Sequence, residues 1–71
     1  MAESVYKVID LIGSSEESWE KAAAAAISQA SQTLRDIRVA RVVDQDIHIE
    51  PGKPNTYRVK LEISFKYEGG S

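Results

Sequence analysis

The chain has 71 residues, 42% of them hydrophobic and 28% charged, with nine Lys and Arg against eleven Asp and Glu for a net charge of −2. That balance describes one folded domain over residues 1–71. It excludes a disordered tail, argues against nonspecific nucleic-acid binding, which needs a basic excess, and offers no membrane span, because the longest uncharged run, residues 22–34, is too short and too polar.

Residues 4–12, SVYKVIDLI, are rich in β-branched side chains and predict a strand. Apolar residues fall in both alternation classes, Val5, Ile9 and Leu11 in one and Tyr6, Val8 and Ile12 in the other, as in a strand covered on both faces. Gly13 then punctuates. Ser14 with Glu17 three residues on has the spacing of a capping box. A helix over residues 15–35 is expected to follow, with Glu16 and Glu17 at the positive end of its dipole. Trp19, Ala23, Ala26, Ile27, Ala30 and Leu34 recur at helical spacing and predict the face turned to the sheet. The alanines at 22–26 favour helix, since alanine loses no side-chain entropy, and they make it thin. Ala24, Ala25, Ser28 and Ser31 form a second surface of small residues, open to close approach by another element or to solvent.

Residues 37–50, IRVARVVDQDIHIE, predict a long strand. Its odd positions carry Ile37, Val39, Val43, Ile47 and Ile49, and its even positions Arg38, Asp44, Asp46, His48 and Glu50. Arg41 among the apolar set, and Ala40 and Val42 among the polar, break the alternation. Pro51, Gly52 and Pro54 force a turn over residues 51–55. Residues 56–68 then alternate cleanly, Tyr57, Val59, Leu61, Ile63, Phe65 and Tyr67 against Arg58, Lys60, Glu62, Ser64, Lys66 and Glu68. Gly69, Gly70 and Ser71 are expected to fray.

The predicted class is α+β with element order β-α-β-β. A helix between the first two strands calls for a right-handed crossover that leaves a gap between them. The third strand fills that gap, giving a three-stranded antiparallel sheet of order 1-3-2 wrapped around one helix. A domain this small buries only about 60% of its unfolded surface, and such a core rarely supplies more than roughly 3–5 kcal/mol. The chain has no cysteine, so neither a disulfide nor a cysteine zinc site is available to reinforce it. Strand length points the same way: a helix of about 20 residues spans ~30 Å, whereas strands of 13 or 14 residues reach roughly 45 Å. Self-assembly is expected to cover the overhang.

Catalytic chemistry is sparse. His48, the single histidine, lies on the polar alternation class between Asp46 and Glu50, the setting of a solvated or paired side chain. The serines are accounted for by capping and small size, and no Gly-rich phosphate loop is present. No catalytic residue is assigned, and the chain does not read as an enzyme. Asp44, Asp46 and Glu50 share one strand face at period two, and their oxygens suit a hard cation such as calcium. One chain supplies a line of ligands rather than a cage, so backbone carbonyls or a second subunit would have to complete the shell. The competing reading is a cross-strand charge ladder: with Glu50 opposite Thr56, His48 faces Arg58 and Asp46 faces Lys60. With no basic start and apolar stretch in residues 1–10, a secretory signal is not expected and a cytoplasmic location is.

Three stretches, VYKV with GSSEES at the start, TLRDIRVARV after the helix and YRVKLEISF in the last strand, resemble the dodecins. The resemblance runs over nearly the whole chain. It implies a hollow shell of twelve copies that is not an enzyme and that binds flavins, riboflavin or FMN, in pockets between subunits, for storage or for quenching of their photochemistry. Two positions carry flavin binding in typical members, a ring-stacking tryptophan in the second strand and a glutamine in the third. By alignment these are Val39 and Arg58 here, so both are substituted. Trp19 does not replace the lost ring, since it lies on the helix stripe. Val39 has no flat π surface to stack, and Arg58 donates without accepting, although it can meet an anion such as the FMN phosphate. Simple alternation puts Val39 and Arg58 on opposite faces, so a shared pocket needs a bulge or two subunits. The RVAR segment resembles the branch of the family represented by calcium dodecin, in which the shell persists and a calcium site occurs.

Overall fold

The computed structural model describes residues 3–67, with strand β1 (Tyr6–Ser15), helix α1 (Trp19–Ser31), strand β2 (Ile37–His48) and strand β3 (Thr56–Lys66) in that order. The sheet is antiparallel on both sides of the central β3, in the predicted order β1-β3-β2. The expected fraying at Gly69, Gly70 and Ser71 and the expected strand end at Glu68 lie outside the described residues.

Gly13 does not end β1. The strand runs on through it to Ser15, with Gly13 opposite Val59 and Ser15 opposite Tyr57. What the glycine supplies is room for the helix. A Cβ built on Gly13 would fall on the Ala22 carbonyl oxygen and come within 3.0 Å of the Ala26 Cβ. Ala22, Ala26 and Ala30, four residues apart and so stacked on one helix face, are all buried in this seam. Ala22 was not on the expected stripe; Trp19, Ala23, Ile27 and Leu34 flank the seam half-buried. The other half of the core comes from Val59, Leu61 and Ile63, inward-facing on β3 as the alternation predicts.

The helix is shorter than expected at both ends. Its N-cap is Ser18, whose hydroxyl accepts the Lys21 N–H at 3.0 Å, so Ser14 and Glu17 do not form a capping box. Ser14 is still in the strand, the Ser15 hydroxyl accepts the Glu17 N–H at 3.0 Å, and the Glu17 carboxylate pairs with Lys21. At the far end the N–H groups of Thr33 and Leu34 both turn back to the Ala30 carbonyl, at 3.1 and 2.8 Å. Asp36, at φ 59, then swings the chain into β2 through the left-handed region that Asp tolerates better than most residues.

Strand β2 explains its own irregular pattern. Its register against β3 slips between Ile37 and Val39 and again between Val42 and Asp44. Each slip inserts one extra residue, and one extra residue exchanges inward for outward positions. Ala40 pairs with Ile63 and Val42 with Leu61 on the core side, while Arg41 opposite Glu62 faces outward. Ala40, Arg41 and Val42 are thus in phase with their local frame, while Gln45 remains a polar residue on the core side, opposite Val59.

The helix lies over β1 and β3 and barely reaches β2. Thirteen helical residues span about 20 Å, whereas the twelve residues of β2 extend roughly 40 Å, within a molecule 56 Å long. Val42, on the core side, therefore stays 50% exposed, while Ile12 and Val39, paired with the outward-facing Lys60 and Ser64, are more exposed for want of any cover on that face.

Two outcomes follow from the seam and the cap. Gly13→Ala should cost about 3 kcal/mol, because backbone cannot retreat as a side chain would; a melting temperature equal to that of the unaltered protein would reject the close approach. Ser18→Ala should cost about 1 kcal/mol of helix stability, whereas Ser14→Ala should be close to neutral in the same denaturation experiment.

Candidate functional site

The sheet face turned away from the helix is built in rows across the three strands. Val8, Ser64 and Val39 make one row, Asp10, Glu62 and Arg41 the next, then Ile12, Lys60 and Asp44, then Ser14, Arg58 and Asp46. β3 alternates without interruption, so Arg58, Lys60, Glu62 and Ser64 share this face by period two alone. On β2 the extra residue Val43 changes which positions point outward: they are odd at Val39 and Arg41, and even at Asp44, Asp46 and His48. Val39 and Arg58 therefore lie on one face, contrary to simple alternation. They do not meet within one chain. Val39 stands opposite Ser64, six residues along β3 from Arg58, a separation of about 20 Å.

Charges pair along this face. Arg58 makes a two-pronged contact with Asp46, Nε to Oδ1 at 2.7 Å and Nη2 to Oδ2 at 2.9 Å. Hydrogen bonding to Arg58 holds the Asp46 carboxyl below its ordinary range, and the same contact raises Arg58. Arg41 Nη2 donates to Glu62 at 2.6 Å, which raises the guanidinium in the same way. The ladder expected between β2 and β3 exists, displaced by two residues: His48 faces Thr56, Asp46 faces Arg58 and Asp44 faces Lys60. The tight hairpin that would have put Glu50 opposite Thr56 is replaced by a wider loop over residues 49–55, with Gly52 at φ 77.

Asp44, Asp46, Arg58 and Lys60, together with Ile12, enclose a hollow of about 70 Å³. Of the three carboxylates in the expected cation row, Asp46 is committed to Arg58, and Asp44 Oδ1 accepts the Gln45 N–H at 2.9 Å. Glu50 lies beyond the strand, with His48 Nε2 at 3.3 Å and Lys53 Nζ at 3.6 Å. Among the described residues no three His, Asp or Glu side chains converge on a cation-sized point. Ile12 was missing from the expected site residues, since its place beside Lys60 follows from strand pairing and not from spacing.

The helix side supports the same segment. The Trp19 indole N–H donates to the Asp46 carbonyl oxygen at 3.3 Å, and its ring meets Tyr57 edge-on, with centroids 5.1 Å apart. Trp19 thus ties the backbone of β2 where Asp46 points outward to Arg58. A hollow of about 210 Å³ beside it, lined by Ala23, Val42, Gln45 and Val59, marks where the helix falls short of β2. No helix among the described residues is long and apolar enough to cross a membrane.

A family model described as Dodecin matches residues 5–68. Calcium dodecin of Mycobacterium tuberculosis is 57% identical over 63 residues, 89% of each chain. Dodecin of Thermus thermophilus is 38% identical over 64 residues, 90% of this chain and 93% of that one. Among solved structures, the crystal structure of the M. tuberculosis calcium dodecin, described as having a novel calcium-binding site, superposes with a TM-score of 0.85 at 53% identity, over 96% of this chain and 97% of that one. Dodecin from Streptomyces coelicolor superposes with a TM-score of 0.89 at 30% identity, over 99% and 100%. With a family match over nearly its whole length, and the same strand–helix–strand–strand fold in those relatives, the chain belongs to the dodecin family.

Proposed function

We propose that this protein forms a homododecameric shell that holds a small ligand between copies, against the outward sheet face, without chemically transforming it. One observation carries the reading. The bulge at Val43 returns Val39 to the face of Arg58 yet leaves the two about 20 Å apart, so a pocket using both positions takes them from different copies. The exposed Val8, Ile12 and Val39 on that face supply apolar surface for such a contact. Flavin, the ligand that the family resemblance implies, is held weakly. Val39 offers no ring to stack, which forgoes roughly 0.5–1.5 kcal/mol per aromatic pair, and Arg58 is already occupied by Asp46.

Calcium binding is the second reading, supported by the 57% identity to a relative described as calcium dodecin. Asp44 and Asp46 share the outward face, but a calcium ion takes six to eight oxygens, so carboxylates or carbonyls of several copies would have to converge. Calorimetric heat from calcium added to chelator-treated protein, absent in Asp44→Asn, would put this reading first.

Sedimentation at micromolar concentration should give a twelve-copy species; a stable 7.9 kDa monomer would reject the shell. Riboflavin fluorescence should be little quenched by the unaltered protein. The double variant Val39→Trp with Arg58→Gln should bind riboflavin at least about tenfold more tightly, through the added stacking plane and an amide that both donates and accepts. An intact dodecamer of that variant with no gain would mean that the outward face is shaped for something other than a flavin ring.

A further inference from the structure

The hollow at Ile12, Asp44, Asp46, Arg58 and Lys60 brings two acids and two bases together on a face otherwise suited to a ligand. Arg58 would be a ready anion receptor, since its planar fork matches the paired oxygens of a phosphate or carboxylate. Asp46 fills one edge of that fork, Nε with Nη2, with both of its oxygens and sets its negative charge directly against the guanidinium. Asp46 is, in effect, an internal anion already bound. It is also held in place from behind, by the Trp19 indole N–H on its own carbonyl oxygen.

We propose that Asp46 is the specificity-determining residue of this hollow: it closes Arg58 to ligand anions, and neutralising it uncovers an oxyanion site formed by Arg58 and Lys60. The inference rests on reading the outward face as the ligand-binding face and deepens that reading by assigning the ligand's charge. The hollow's size agrees. At about 70 Å³ it has room for a compact oxyanion between the two bases. Asp44 remains as a negative neighbour across from Lys60, so the unaltered hollow balances two positive charges with two negative ones. An arriving anion must displace a carboxylate that is tethered to the same sheet and gives up no translational freedom when it rebinds. A ligand that is uncharged where it meets this hollow meets no such competitor.

The experiment uses the assembled protein at low salt, with inorganic phosphate as the probe and phosphorus NMR line broadening as the readout. Asp46→Asn keeps the side-chain shape and an acceptor oxygen but lacks the charge, and it should bind phosphate at least about tenfold more tightly than the unaltered protein. Adding Arg58→Gln to Asp46→Asn should remove that gain. Asp46→Ser, which lacks the charge by a different route, should reproduce the gain if the asparagine variant fails to assemble. Equal phosphate binding by the unaltered protein and both Asp46 variants would overturn the proposal, as would a gain that survives Arg58→Gln. A parallel pair of titrations separates this from the ligand reading. Where flavin binds at all, the ratio of FMN to riboflavin affinity should rise about tenfold in Asp46→Asn. Where neither flavin binds any variant, the flavin reading fails while the phosphate result still decides the role of Asp46.

Discussion

The whole arrangement depends on how closely α1 approaches β1. With no side chain at Gly13 and only methyl groups at Ala22, Ala26 and Ala30, helix and strand backbones nearly touch. A helix that close covers little of the sheet, and the largest fully buried side chains, Val59, Leu61 and Ile63, all come from the one strand beneath it. Burying a thin alanine face stabilises less than burying leucines would, because the gain scales with apolar area. The protomer therefore keeps a small core and leaves large apolar residues at its surface.

The second organising feature is the frame change in β2. Three extended strands would ordinarily give one inward and one outward set, and β3 obeys that rule throughout. The extra residue at Val43 lets one strand serve two masters. Before it, the strand sends Ala40 and Val42 to the core; beyond it, the strand sends Asp44 and Asp46 outward to meet Lys60 and Arg58. The Trp19 hydrogen bond reaches β2 in this later stretch, so the helix secures the backbone at the point where the side chains do their electrostatic pairing.

Much of this was legible in the sequence, and the parts that were not share a cause. Element order, strand order and the inward set on β3 follow from periodicity and connectivity. The capping box was misplaced because SSEES offers several serines and glutamates at workable spacings, and only the point where β1 releases the chain selects Ser18. Gly13 looked like punctuation, yet a glycine required by a neighbouring backbone is indistinguishable in sequence from one required by a turn. Arg41, Ala40 and Val42 did announce an irregular strand. They could not say which residue was extra, and one residue decides whether Val39 and Arg58 share a face. The site is a matter of register, and register is set by partners across the sheet.

Because β3 is central, β1 and β2 are both edges, and the two edges differ in kind. β2 is interrupted by two bulges, the device by which sheets twist an edge away from unwanted pairing. β1 pairs with β3 over ten consecutive residues without a slip, so its outer rim is an unbroken row of backbone donors and acceptors. An incoming strand, whether from a neighbour in an ordered assembly or from a misfolded chain, finds its template on β1 and an irregular rim on β2. A lone protomer thus presents one regular edge and one irregular edge. The hazard of aggregation is concentrated on the same strand whose glycine lets the helix lie so close.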